Sequence, residues 1–438
     1  VVLLKSFTNI FRVPELRKRT LFTLGVLVIY RLGTFIPIIG VNIHALAERV
    51  TAAKEWGFVF GIIDSISGSA FGKCTLFALG ISPYITASIA MQLLAMSVPS
   101  LEQLQKEGEY GRRLINQYTR YLTLGVAIVE SWIYCSILES NSLVLQPGFS
   151  FKIVFMASMT AGAMLVMWLG EQILLYGIGN GSSMIIFASI ISHLPTQILL
   201  TYNNYDGINI SWISIILALV FMIAVTMCII FLEKGERKIP VQYARRVVGN
   251  RVYGGQSSYI PFKINPVGVM PVIFAQSAMT LPMMITNLLA NQFTSLEFLK
   301  GSITSNVAVY VTLQFILIIF FTFLYTAMVF NPDELADNIK KNGGFIPGIR
   351  PGQKTARFFD YILNRIGLTG ALYLGLLAIL PDIVKVFLTV PFIIQGTSLL
   401  IAVGVALETS AQVETYLIEH RYEGFLSSGR LKSRFSRS

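Results

Sequence analysis

Apolar residues run along this chain in long, nearly uninterrupted stretches and do not alternate with polar ones. A segment needs about 20 mostly apolar residues to cross roughly 30 Å of hydrocarbon. Ten stretches meet that length, near residues 20–40, 74–98, 118–138, 152–174, 180–200, 211–232, 266–290, 307–330, 366–388 and 396–416. The pattern predicts ten transmembrane helices in an all-α polytopic membrane protein. The first follows a basic start, Arg17-Lys18-Arg19, without a small-residue cleavage site, so it is expected to be a retained anchor and not a removed signal peptide.

Charge adds a direction to the spans. Of the 34 Lys and Arg residues, 27 fall in the N-terminus, the loops after the second, sixth and eighth spans, and the C-terminal tail, counting Arg120 at the edge of the third span with the loop before it. That bias places both termini in the cytoplasm. Arg31 lies inside the first span, and Arg49, Lys54, Lys73, Lys152, Lys300 and Lys385 lie on the opposite side. Only 13% of residues are charged and 54% are hydrophobic, with a mean hydropathy of +0.66. A soluble globular chain carries about a quarter charged residues, so that class is excluded. The net charge of +11 points to anionic partners: lipid headgroups, RNA or acidic protein surfaces. Cys74, Cys135 and Cys228 have no paired spacing, so neither a disulfide framework nor a zinc site is indicated.

A repeat is embedded in the spans. GISPYITA at 80–87 and GVMPVIFA at 268–275 share Gly, Pro, Ile and Ala at the same offsets, 188 residues apart. The first lies in the second span and the other in the seventh, which is the second of a second set of five. Two sets with an odd number of spans point in opposite directions, as in inverted-repeat membrane proteins. Gly80 with Pro83, and Gly268 with Pro271, are expected to break and bend their helices and to let neighbours pack closely. Lipid tolerates freed backbone groups only where protein or a water-filled cavity satisfies them, so both segments should face an interior. The prominent side chains there are Ile81, Ile85 and Ile273. They fit a hydrophobic constriction that stops ions by dewetting, and they equally fit ordinary core packing.

Two long cytoplasmic loops carry further pattern. In residues 233–265, Ile239, Val241 and Tyr243 alternate before Gly249-Asn250, and Val252-Tyr253 follow, which reads as a β-hairpin. Arg237, Lys238, Arg245, Arg246 and Arg251 would make it a basic finger, suited either to headgroups and membrane retention or to a large anionic partner. In residues 331–365, Asn331 reads as an N-cap ahead of Pro332, with a short helix stopping at Gly343-Gly344. Pro347 and Pro351 then stiffen a turn that displays Arg350, for docking or simply for solvation, and TARFFDYILNRI reads as a second short helix before the ninth span.

Arg31, Glu130, Glu171 and Glu408 lie in or beside spans and would mark an ion path if the chain were a secondary transporter for a small solute or ion. That alternative shares the inverted repeat but does not account for the long loops or the aliphatic centre. An intramembrane enzyme would need a nucleophile and base or a metal cluster. His44, His193 and His420 fall at expected span ends or in loops, and no Walker loop stands out, so no catalytic residue and no cofactor are expected.

Longer motifs carry a family resemblance. They are FALGISPYITASI (77–89), KEGEYGRR (106–113), QYTRY (117–121), WLGEQI (168–173), GIGNG (177–181), INPVGVMPVIFAQS (264–277), FNPDELADNIKKNGGFIPGIRPG (330–352), GALYL (370–374) and GTSLLIAVGVALET (396–409). In their order and placement the chain resembles the SecY family, the central subunits of bacterial-type protein translocases, along essentially its whole length. One departure is Ile36-Pro37-Ile38-Ile39-Gly40, where the family usually has a second proline, so the outer end of the first span is expected to be less rigid.

The resemblance implies ten helices in two inverted five-helix halves around a central pore with a lateral gate and plug. The halves would be 1–200 and 201–416, followed by a basic tail at 417–438. The pore ring would be Ile81, Ile85, Ile186, Ile273 and Ile401. The plug would fall at about 60–73 and contain Ser67, Gly68 and Gly72, its small residues packing lightly enough to leave. Gln92 and Ser277 would be polar residues of a lateral gate between spans 2 and 3 and spans 7 and 8. Such a channel passes unfolded secretory polypeptides across the membrane and releases membrane-protein helices sideways into it. Implied partners are SecE-type and SecG-type small subunits, the motor ATPase SecA or the ribosome, signal sequences and unfolded preproteins, and anionic lipids. The basic hairpin and Arg350 would dock the motor or ribosome. The implied location is a bacterial cytoplasmic membrane, or an organelle membrane of bacterial origin.

Overall fold

A computed structural model describes residues 13–42, 46, 64, 67–203, 212–243, 246–248, 251–253, 257–292, 307–388 and 395–427. Every one of the ten expected spans contains a helix. The elements in chain order are α1 (Pro14–Gly33), α2 (Ser82–Ser97), α3 (Pro99–Lys106), α4 (Glu109–Ser140), α5 (Phe149–Tyr176), α6 (Gly181–Asn203) and α7 (Trp212–Lys234). Strands β1 (Glu236–Tyr243), β2 (Arg246–Val248), β3 (Arg251–Tyr253) and β4 (Ser257–Lys263) follow. Then come α8 (Met270–Gln292), α9 (Val307–Val329), α10 (Pro332–Lys341), β5 (Gly344–Phe345), α11 (Gln353–Leu388) and α12 (Gly396–Ser427). Among the described residues, seven helical stretches are long and apolar enough to cross a membrane alone, and α2 with α3 would make an eighth although bent by 100°. The bend falls at Val98, whose extended backbone is what a following proline imposes.

Helix α1 is shorter than the apolar run that predicts it. It stops at Gly33, where the Phe77 ring fills the place of a side chain. The chain then runs extended: the Ile38 amide donates to the Cys74 carbonyl (3.1 Å), the Leu76 amide to Ile36 (2.9 Å) and the Leu145 amide to Gly40 (3.0 Å). Pro37 cannot donate to a helix, and Gly40 has a left-handed φ of +96° that ends the extended run.

The chain divides into two compact units, Val1–His193 with Val405–Ser438, and Leu194–Gly404. In the first, the aromatic core stacks Phe71 on Tyr134 at 4.3 Å between ring centres, with Phe155 next to Tyr134 at 5.8 Å. In the second, Phe274 meets Phe321 and Tyr325 edge-on. Large apolar side chains also cover the outside: on α7, Ile213 is 76% exposed and Phe231 75%. A helix apolar on its outer face is matched to lipid, not water.

Outside the spans, the second unit carries a small lobe. β4, β1 and β5 form an antiparallel sheet in that order, with Ile239 opposite Ile260 and Gln242 opposite Phe345. Ile239 and Val241 point inward onto Phe262, Ala336, Ile346, Phe359 and Ile362, while Lys238, Pro240 and Gln242 point out. The expected hairpin is therefore two ladders. β2 pairs with β3 next to the turn, but Ile239 and Val241 pair with the distant β4 and not with Val252-Tyr253. Asn331 caps α10 as expected, its side-chain oxygen accepting from the Asp333 amide at 3.2 Å. Beyond α10, Gly343 turns the chain at φ +70°. The expected short helix before the ninth span is absent as a separate element: α11 is one continuous 36-residue helix. No proline or glycine falls between Lys354 and Arg365 to break it.

Candidate functional site

The two Gly-x-x-Pro motifs have the same local structure. Gly80 has a φ of +55° and Gly268 of +66°, and in each case a helix begins two residues later, at Ser82 and at Met270. Pro83 and Pro271 are each the second residue of their helix, where the missing amide proton would have had no partner in any case. The first-turn hydrogen bonds also match: the Ile85 amide donates to Ile81 (3.1 Å), and the Ile273 amide to Val269 (3.2 Å). The expected helix interruption is present at both motifs, but it takes the form of a helix start and not of a bend, and the close packing expected at glycine is absent at Gly80. A Cβ on Gly80 would have open space around it, so what the position requires is the left-handed backbone. Before Gly268, Asn265 fixes the approach by donating its amide to Glu233 Oε2 (3.0 Å) and to the Gly268 carbonyl (2.9 Å).

Each helix start carries buried isoleucine, and each unit adds one more from another helix. In the first unit Ile81, Ile85 and Ile186 are buried; in the second, Ile273 and Ile401. Within the first unit, α6 begins against the Gly170 carbonyl of α5, and Ile81 Cδ1 lies 3.4 Å from where a Gly170 side chain would start. Within the second, the Val269 side chain occupies the space beside Gly404 of α12, three residues after Ile401. Glycine thus brings α6 and α12, the last spans of the two expected halves, close to the matched elements. Isoleucine side chains offer no donor, acceptor or charge, so they give a polar ligand nothing to bind.

Of the two expected gate residues, Gln92 is half-buried and donates to Ser88 Oγ (3.3 Å), one turn earlier on α2, and Ser277 is buried on α8. Sequence reasoning missed Gln276, the neighbour of Ser277. Its carboxamide oxygen accepts from Gln314 Nε2 on α9 at 3.2 Å, with both side chains buried. A lone glutamine in an otherwise apolar ninth helix was the available signal.

Of the expected plug, residues 60–63, 65 and 66 lie outside the described residues. Asp64 and Ser67 organise the remainder as a compact turn. Asp64 Oδ1 accepts from the Gly72 amide (2.7 Å), and Ser67 Oγ accepts from the Phe71 amide (3.1 Å). The small residues pack tightly, not lightly: Ser67 and Ala70 are buried, and a Cβ on Gly68 would come 2.8 Å from Ser192 Oγ.

The span charges are placed as well. Glu171 accepts both Arg120 bonds at 2.8 Å, Glu130 is buried on α4, and His193 lies inside α6 and not at a span end. On the lobe, Arg237 and Lys238 are exposed, with Lys238 3.2 Å from Glu236. Arg246 and Arg251 sit in β2 and β3, and Arg245 lies outside the described residues. Arg350 is exposed on a turn whose base is fixed: Ile346 is buried in the lobe core, and Thr355 Oγ1 donates to the Arg350 carbonyl (3.0 Å).

Long helices covered by apolar side chains, with two matched glycine-led helix starts lined by isoleucine, define an all-α polytopic membrane protein. The SecY family model matches residues 75–410. The chain belongs to the SecY family. It is 43% identical over 427 residues to the protein translocase subunit SecY of Aquifex aeolicus, covering 95% of this chain and 98% of that one. It is 42% identical over 424 residues to that of Escherichia coli, covering 95% of each. Among solved structures, one of a protein-conducting channel has a TM-score of 0.65 at 18% identity, covering 91% of this chain and 92% of the other. Another, reported as showing that the SecY plug domain stabilises the closed channel and maintains a membrane seal, has a TM-score of 0.62 at the same identity and coverage. Sec61 in a canine ribosome–channel complex also has a TM-score of 0.62, at 18% identity over 91% of this chain and 92% of that one.

Proposed function

We propose that this chain is the protein-conducting channel of a translocase, passing unfolded polypeptides across the membrane and releasing apolar helices sideways into lipid. The observation that carries the reading is the pair of matched left-handed glycine helix starts with buried isoleucines, in a chain of the SecY family. An aliphatic ring of Ile81, Ile85, Ile186, Ile273 and Ile401 would grip no particular sequence, so varied polypeptides could pass while ions are held back by dewetting. Residues 60–73 serve as the plug, and Gln92 and Ser277 as polar gate residues whose hydrogen bonds are exchanged when a signal helix enters. A solute carrier is not favoured, because the isoleucines provide no ionisable binding site.

The driving energy comes from a partner, not from catalysis by this chain. The exposed Arg237 and Lys238, the strands bearing Arg246 and Arg251, and the rigid Arg350 turn support docking of an anionic surface on a ribosome or a SecA-type motor. Small SecE-type and SecG-type subunits and anionic lipids complete the assembly, in a bacterial cytoplasmic membrane with both termini inside. Single cysteines at Ile81, Ile273 and Ile401 test the reading with a stalled secretory precursor carrying a crosslinker. Adducts at all three positions are expected. Absence of adducts when precursor and motor are both active would overturn it.

A further inference from the structure

The turn at residues 67–72 is held by three side chains from three different helices, and two of them act on consecutive residues with left-handed backbone. Gly68 has φ +67° and Ser69 has φ +66°, a conformation that a non-glycine residue adopts only when its surroundings impose it. This backbone turns the Gly68 carbonyl toward α1, where Arg31 Nη1 donates to it at 2.9 Å. It turns the Ser69 hydroxyl toward α6, where Ser69 Oγ and His193 Nδ1 are 2.6 Å apart. On the far side, the Tyr134 hydroxyl of α4 donates to the Phe71 carbonyl at 2.8 Å, with both rings fully buried. Asp64 braces the turn from within, and His193 and Lys73 both lie near enough to act on its charge.

We propose that Arg31, Tyr134 and His193 are positioning residues that clasp the 67–72 turn, and that the Ser69–His193 bond is its releasable member. The inference rests on the reading of this segment as a plug. The Tyr134 end is anchored by stacked, buried rings. The Gly68-Ser69 end is tied to other helices by two polar bonds made by half-buried groups, beside the bond that the Ser69 amide donates to the neighbouring Asp64 carbonyl (2.8 Å), and it holds a strained serine. Releasing that end relaxes the Ser69 backbone and frees the turn to swing about its buried Phe71. A purely space-filling role would be met by any side chain with the bulk of the imidazole; a clasp requires the polar atom.

The full chain, reconstituted in planar bilayers with its co-purifying subunits, provides the test through ion conductance with no polypeptide in transit. Deletion of residues 67–72 should leak; if it conducts no more than the parent, the plug reading falls and the clasp with it. Where the deletion leaks, Ser69→Gly and His193→Leu should each raise resting conductance about tenfold, the shift that losing about 1.4 kcal/mol of part-buried hydrogen bonding produces. Ser69→Gly keeps the left-handed backbone and removes its strain, which by itself favours the held turn, so a leak in this variant reports the lost hydroxyl and not misfolding. His193→Asn, with an amide near the Nδ1 position, should restore the seal, and the double variant Ser69→Gly with His193→Leu should leak no more than either single one. Parent-like conductance of both single variants beside a leaking deletion would overturn the clasp, as would additive leaks or failure of His193→Asn to restore the seal.

Discussion

Gly80 and Gly162 lack a side chain for different physical reasons. At Gly80 the backbone is left-handed and space is open; at Gly162 on α5 the Leu76 carbonyl occupies the position a Cβ would take. Gly80→Ala should cost about 1–2 kcal/mol through backbone strain, and Gly80→Asn less, because asparagine tolerates the left-handed region. Gly162→Ala should cost more than either, since backbone from a packed segment has to move to make room. Thermal unfolding of the purified variants in detergent should give that order; equal losses at Gly80 for Ala and Asn would contradict it. The glycines themselves are legible in the sequence, but nothing local distinguishes the two kinds. One is a torsion requirement and the other a contact with a residue 86 positions earlier.

Elements were legible wherever local chemistry sets their ends. Asn331 followed by proline starts α10, and Asn331→Ala should destabilise that helix by about 1 kcal/mol, roughly a fivefold faster amide exchange across 333–337, with the global unfolding midpoint unchanged. Asn331→Asp should exchange like the parent, since aspartate caps equally well. Elements were misread where the end depends on distant contacts. The apolar run of the first span continues past Gly33, yet α1 stops there because Phe77 packs against it and the next residues find partners at 74–76. The inward face of β1 was apparent from its alternation, but its partner was not. Alternation fixes which side of a strand is buried, not which strand lies beside it.

At the level of the whole molecule, the proposed role of the buried isoleucines and that of the basic lobe make separable predictions. Ile273→Asn and Ile401→Asn should each raise resting ion conductance in bilayers, because a polar side chain lets water wet the constriction, whereas Ile→Leu at the same positions should stay near the parent. Asparagine variants as tight as the parent would show that the isoleucines are ordinary core. On the lobe, Arg350→Glu should weaken ribosome co-sedimentation about tenfold, and the loss should shrink as salt is raised, because exposed charges are screened within about 8 Å at physiological ionic strength. Lys340→Glu, in the last turn of α10 and away from the stiff turn, should weaken it less. Equal effects would assign binding to net charge and not to the displayed arginine.

The placement of the apolar segments along the chain, the unequal spread of Lys and Arg among the loops, the 188-residue repeat and the family motifs are all read from the amino-acid sequence on its own. These depend on composition and short-range order, which the bilayer reads segment by segment. Only the tertiary structure decided that the repeated motifs start helices instead of bending them. It alone decided that Gln276 meets Gln314, that β1 lies beside β4, and that Ser69 meets His193, 124 residues away in the chain. Each of those pairings joins residues whose local sequences carry no mark of one another. Hydrogen bonds of about 3 Å demand a placement that periodicity cannot supply, and the packing of whole helices does.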